Sequence, residues 1–179
     1  MINTTRLLLR DYRENDFADV YEIDASDIVQ KMRGPNSSTS KAQSRERFDL
    51  ALNAVAQSPR LIWHLVAVIQ DDDRCIGACK LTIHPQQMHE GEIGYYLKQS
   101  AWGRGYATEI AHGLLDFGFG QLKLHRIVAG CWAQNPASVR VLEKAGMRRE
   151  AHFREHLWFN NAWQDSFDYA ILRREWDDE

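Results

Sequence analysis

The sequence predicts an α/β (α+β) fold: a mixed, mostly antiparallel sheet of about seven strands with helices on both faces. Three observations predict it. Apolar runs come in pairs joined by short polar turns, over 61–83 and 147–172, as antiparallel hairpins require. Between those pairs a strand-like run (Gly91–Leu97), a glycine loop, a helical run and a second strand-like run (Arg126–Trp132) form a crossover, which sets two strands parallel. No repeat, low-complexity tract or linker interrupts the 179 residues, so 1–179 reads as a single domain long enough to bury a sizeable core.

Each element has a local reason. Arg6–Asp11 is a short apolar strand with polar flanks. Glu14, Asn15 and Asp16 supply a cap and first-turn acids for a helix carrying Phe17, Val20, Tyr21 and Ile23. Gly34 to Ser38 is a turn-rich loop. Ser40 to Gln57 has helical periodicity through Phe48, Leu52 and Val55, closed by Pro59. Leu61–Ile69 and Cys75–Ile83 form a hairpin about the polar turn Asp71–Asp73, and a second turn, His84–Glu90, leads to the strand Gly91–Leu97. The central helix, Thr108–Leu122, places Ala107, Ile110, Ala111, Leu114, Leu115 and Gly118 on one face. Pro136–Ala145 is a helix capped by Asn135 and ended by Gly146. Met147–Phe159 and Ala162–Leu172 close the chain as a long hairpin. Its aromatic residues (Trp158, Phe159, Trp163, Phe167, Tyr169) and Trp176 suit a homodimer interface or the completion of the core equally.

Bulk properties exclude several classes. A 44% hydrophobic, 26% charged composition is that of an ordinary globular chain. A net charge of −3 argues against a nucleic-acid partner held through its phosphates. No segment approaches the roughly 18 apolar residues of a membrane span, and the N-terminus lacks a long apolar run, so a soluble cytoplasmic protein is expected. Cys75 and Cys79 are too far apart along a strand rising about 3.3 Å per residue to bridge, which fits a reduced compartment. With His84 and His89 they match no common zinc spacing, and no metal is expected.

The stretch Ser100–Thr108 (SAWGRGYAT) carries the first chemical signal. Two glycines one residue apart, between strand and helix, let backbone approach a bulky group. The free amides and dipole of the following helix favour an anion such as pyrophosphate. A dinucleotide fingerprint would need a third glycine where Thr108 stands and an acidic residue near Leu124, and both are missing. Gly-Lys-Ser/Thr is absent as well. Taken alone, the pattern reads either as an anion site or as a tight turn with a helix entry.

The surrounding words narrow it. Trp102-Gly103-Arg104-Gly105-Tyr106-Ala107-Thr108-Glu109, then Asn135-Pro136-Ala137-Ser138, then Glu143-Lys144-Ala145-Gly146-Met147, resemble the GNAT superfamily of N-acetyltransferases. More narrowly they resemble its Rim-type branch, which acetylates the N-terminal alanine or serine of ribosomal proteins. Thr5–Arg10, Arg154-Glu155 and Asp168–Leu172 extend the likeness to both ends. The resemblance implies acetyl-CoA as cosubstrate, lying between the splayed parallel strands Gly91–Leu97 and Arg126–Trp132. Its pyrophosphate would sit on the amides of Gly103, Arg104, Gly105, Tyr106, Ala107 and Thr108. Its pantetheine would run along the free edge of Tyr95, Tyr96 and Leu97 and meet Asn135. Arg104 reads as a phosphate partner or a solvated loop cation. Ser100 departs from the Gln or Arg that often opens this loop, which touches the motif more than a backbone-made site.

Acetyl transfer to an amine needs a base, an oxyanion donor and an acid for the departing thiolate. Glu92, at the head of its strand in an apolar stretch, is the base candidate, with burial expected to raise its pKa; the other reading is a strand-edge carboxylate. His84, His89 and Glu155 stand in reserve. Ser138 matches the Rim-type position facing the sulfur, and also suits a capping partner in a first helical turn. Arg140 and Lys144 reach the nucleotide end or simply face solvent. The acceptor is a protein N-terminus or a small amine, toward which Asp24, Asp27 and Glu155 would contribute charge. A non-catalytic acyl-CoA sensor on the same fold and a succinyl donor read by His84 or Arg154 are the alternatives.

Overall fold

Leu65 and Ala67 point to one face of a strand, Val66 and Val68 to the other, and all four are buried, so this strand requires an apolar layer on each side. A computed structural model, describing residues 1–34, 40–71, 73–87 and 89–177, places it third of eight in one sheet. The strands are β1 (Ile2–Asn3), β2 (Leu7–Asp11), β3 (Ile62–Ile69), β4 (Cys75–Ile83), β5 (Glu90–Leu97), β6 (Arg126–Trp132), β7 (Arg148–Phe159) and β8 (Ala162–Leu172). Their order is β1-β2-β3-β4-β5-β6-β8-β7, antiparallel throughout except β5–β6. The eighth strand, β1, is two residues long and too short for a period-2 signal.

The helices divide between the faces. On one, α1 (Phe17–Asp24), α2 (Asp27–Arg33) and α3 (Lys41–Ala54) bury Val20, Ile23, Val29, Phe48 and Ala51 against Val66, Val68 and Ala78. On the other, α4 (Tyr106–Asp116) buries Ile110, Ala111, Leu114 and Leu115 against Leu7, Leu9, Leu65, Leu81, Ile93 and Ile127. Each fully buried aliphatic side chain contributes about 1.5–3 kcal/mol here. α4 continues into a π turn, Phe117–Gln121, and α5 (Pro136–Lys144) lies beside it.

The helix expected from Glu14 begins as a 3-10 turn, Glu14–Asp16, and becomes α1. α2 and α6 (Arg173–Asp177) escaped the sequence reading; each is short, and α2 fully buries only Val29. The loop read at Gly34–Ser38 lies, beyond Gly34, outside the described residues, as do Asp72 and Met88 of the two turns. The terminal aromatics split: Tyr169, Phe167 and Trp176 join the core, whereas Trp158 and Trp163 meet edge-to-face at the exposed hairpin tip. No helix among the described residues is long and apolar enough to cross a membrane.

Candidate active site

The parallel pair β5–β6 is joined at only three positions, Glu90↔Arg126, Gly91↔Ile127 and Glu92↔Val128. Arg126 holds this apex, donating from Nε to Glu90 at 2.7 Å and bidentately to Glu150 at 2.9 and 2.6 Å. Beyond it β5 stays with β4 as far as Leu97↔Gly77, and β6 stays with β8 as far as Trp132↔Ser166. The strands therefore splay, and the β6-facing edge of Ile93–Leu97 has no strand partner among the described residues. A cleft of about 1110 Å³ runs through the gap. Alternation puts Tyr95 and Leu97 on its α4 side, and Glu92, Gly94 and Tyr96 on its α1–α3 side.

The glycine loop closes the α4 side. Gly103 and Gly105 both adopt left-handed backbone, with φ of 73° and 80°, where any other L-residue would be strained. A Cβ on Gly103 would meet nothing within 4 Å, so no protein neighbour demands that glycine; it leaves the loop open to a ligand. Gly105 is the N-cap of α4 and has no side chain to satisfy the first-turn amides, which with the helix dipole make an anion cradle. Gly103, Gly105, Tyr106, Ala107 and Thr108 line the cleft. Arg104 does not; its carbonyl accepts from Arg6 Nη1 at 3.1 Å. Arg6 also lies over the Tyr106 ring, which straps the loop to the start of β2.

Asn135 caps α5, its Oδ1 accepting from the Ser138 amide at 3.1 Å and its Nδ2 donating to Ser138 Oγ at 3.3 Å. Both residues line the cleft. So does Tyr95, whose buried hydroxyl has no hydrogen-bond partner among the described residues. Burial pushes this phenol well up; Ser138 is close enough to act in the opposite direction, though outside hydrogen-bond geometry. A buried, unpaired donor beside a hydroxyl and a free strand edge suits a polar ligand arm, and with the anion cradle these residues fit acetyl-CoA.

On the other side of the gap Glu92 does not stand alone. Lys80 Nζ donates to it at 2.7 Å and His84 Nε2 lies 3.5 Å away. Burial acts upward on its carboxyl, but the Lys80 bond and charge and His84 outweigh it and hold the pKa below the usual carboxylate range. The expected upward shift is thus corrected: the stretch around Glu92 is apolar along the chain, but the neighbouring strand supplies a cation. The reserve candidates His84, His89 and Glu155 are all exposed and outside the cleft lining, though His84 stands beside Glu92. Asp27 lies outside it too, and Asp24 is buried against Arg33 and accepts from Ser44 Oγ at 2.6 Å. Arg140 and Lys144 line the cleft from α5.

Lys80 is one of the cleft residues that escaped the sequence reading, and His64 and Asp168 are two more. His64 faces Lys80 across β3–β4, and burial, then Lys80 and Arg60, push its pKa down. A polar residue alternating with Val66 and Val68 in a buried strand was its only signal. Asp168 lines the cleft from β8 and had only its place in a terminal motif. Among the described residues no three His, Cys, Asp or Glu side chains converge as a metal site requires.

Residues 6–148 match the family model described as acetyltransferase (GNAT) domain. The chain is 31% identical over 185 residues to the uncharacterized N-acetyltransferase YnaD of Bacillus subtilis, covering 98% of each. An acetyltransferase (GNAT family) structure from Bacillus anthracis superposes with a TM-score of 0.84 at 29% identity, covering 97% of this chain and 98% of that one. Spermidine N-acetyltransferase from Vibrio cholerae, in complex with CoA and spermine, superposes with a TM-score of 0.83 at 20% identity, over 96% of this chain and 98% of that one, a likeness of fold.

Proposed function

Because the chain belongs to the GNAT acetyltransferase family, we propose that it acetylates the α-amine of a protein N-terminus, of the alanine or serine type, from acetyl-CoA bound in the β5–β6 gap. The carrying observation is the gap itself, open through the sheet, with a proton acceptor on one side and the unpaired Tyr95 hydroxyl on the other. Acetyl-CoA supplies the acetyl thioester. The amides of Gly103–Thr108 hold its pyrophosphate and the free edge of Tyr95, Tyr96 and Leu97 its pantetheine, with Asn135 beside it. Ser138 and the Tyr95 hydroxyl face the sulfur side, where a departing thiolate takes a proton. Glu92, kept ionised by Lys80, takes the amine's proton directly or through water.

The open face of β6, β8 and β7 supports a protein acceptor: β7 is exposed along almost its whole length, which leaves room for an extended peptide to reach the cleft. A small cationic amine is the second reading, favoured by the carboxylates Glu92 and Asp168 on the cleft wall. Mass spectrometry of a mixed pool decides between them, with peptides bearing free Ala, Ser, Thr, Met and Asp N-termini alongside polyamines, amino acids and aminoglycosides. Acetylated peptide N-termini alone support the first reading, and an acetylated small amine alone replaces it with the second. Binding of acetyl-CoA without transfer to anything sinks both in favour of a sensor. Replacing acetyl-CoA by succinyl-CoA in the same assay reads the donor.

A further inference from the structure

We propose that Asp168 positions the acceptor: its carboxylate holds the ammonium form of the incoming primary amine at the mouth of the β5–β6 gap, over the bare backbone of Gly130. The inference deepens the transferase reading above and rests on it.

Three carboxylates among the described residues line the cleft: Asp24, Glu92 and Asp168. Asp24 is bound by Arg33 and Ser44, and Glu92 by Lys80 and His84. Asp168 is exposed and makes no hydrogen bond or ion pair among the described residues. It is therefore the negative charge on this wall without a counter-charge.

Its placement is set by register. Glu92 pairs with Val128, and Val128 with Ala170, so these three share one face of the sheet. Asp168 lies two residues from Ala170 and points the same way, while Tyr169 points oppositely into the core and donates to Glu143 Oε1. Directly opposite Asp168 on β6 stands Gly130, two residues past the last position at which β6 touches β5. A Cβ on Gly130 would lie 3.4 Å from Asp168 Oδ1, so the carboxylate already leans over this strand. Any larger side chain at 130 would stand between Asp168 and the gap. The neighbouring Cys131 thiol is pushed up to about 11, by burial first and then by the charge of Asp168, as expected where a carboxylate overhangs β6. A primary ammonium entering here gains a charge-assisted hydrogen bond without displacing an existing partner.

The test compares wild type, Asp168→Asn and Gly130→Val, with spermidine and an alanyl tripeptide as acceptors at saturating acetyl-CoA. Losing one charge-assisted bond raises KM for both amines by about tenfold or more, with KM for acetyl-CoA and kcat held. Gly130→Val gives the same signature with the carboxylate still present. A merely structural role lowers Tm, kcat and acetyl-CoA affinity together, and unchanged acceptor KM in Asp168→Asn overturns the proposal. If wild type acetylates neither amine, the transferase reading of these acceptors fails, and calorimetric binding to the CoA-saturated protein decides Asp168 separately. Weaker binding of spermidine or tripeptide by Asp168→Asn then supports it, and equal or absent wild-type binding of both rejects it.

Discussion

At the scale of single residues, a half-buried carboxyl rises in pKa when it is isolated, and Glu92 is held down because Lys80 and His84 reach it from β4 and the turn beyond. Removing the cation returns the burial effect to control. Lys80→Met therefore raises the Glu92 pKa, and the acid limb of the kcat/KM profile, which needs the unprotonated base, moves to higher pH. An unmoved limb would detach Glu92 from the chemistry. Glu92→Gln is expected to lower kcat by about 10²–10⁴, a usual range for a lost general base, with acetyl-CoA KM kept. Tyr95→Phe separates stability from turnover. Deleting a buried hydroxyl without a partner leaves Tm equal or higher, while kcat drops if that hydroxyl serves the thioester. Equal kcat would leave the hydroxyl without a role.

At the scale of elements, the two helices that meet the cleft present their N-termini in different ways. α5 satisfies its first turn with Asn135, so Asn135→Ala costs about 1 kcal/mol and lowers Tm. α4 begins at Gly105 with no side-chain cap, and its amides stay available to a ligand. Gly103→Ala forces a left-handed residue at about 1–2 kcal/mol. Because the added methyl meets no protein atom, a rise in acetyl-CoA Kd would report intrusion on the ligand. Calorimetry showing the wild-type Kd would place the phosphates elsewhere.

At the scale of the whole molecule, Glu109 ties the chain's beginning to the central helix, accepting from Thr4 Oγ1 at 2.6 Å and from Arg6 N and Nε at 2.7 Å. Burial raises its pKa, but those bonds outweigh it and leave the carboxyl below its usual value. Its contribution to stability is thus present above the unfolded pKa of about 4.3 and lost as pH falls through the folded one. Glu109→Gln should lower Tm at neutral pH and flatten the loss of Tm on acidification; parallel curves would show that this anchor does not report pH. What the sequence by itself determined was everything carried by neighbours along the chain. The alternation in β3, the stripe on α4, the Asn135 cap and the paired glycines each have a period or a spacing that backbone geometry imposes. Only the tertiary structure decided which charges meet. Lys80, opposite Gly94, reaches Glu92 diagonally through hairpin register, the Tyr95 hydroxyl is buried without a partner among the described residues, and Asp168 overlooks the gap because Gly130 happens to be paired with it. Cross-strand contacts follow from register between segments far apart in the chain, and no local pattern encodes the electrostatics that register creates.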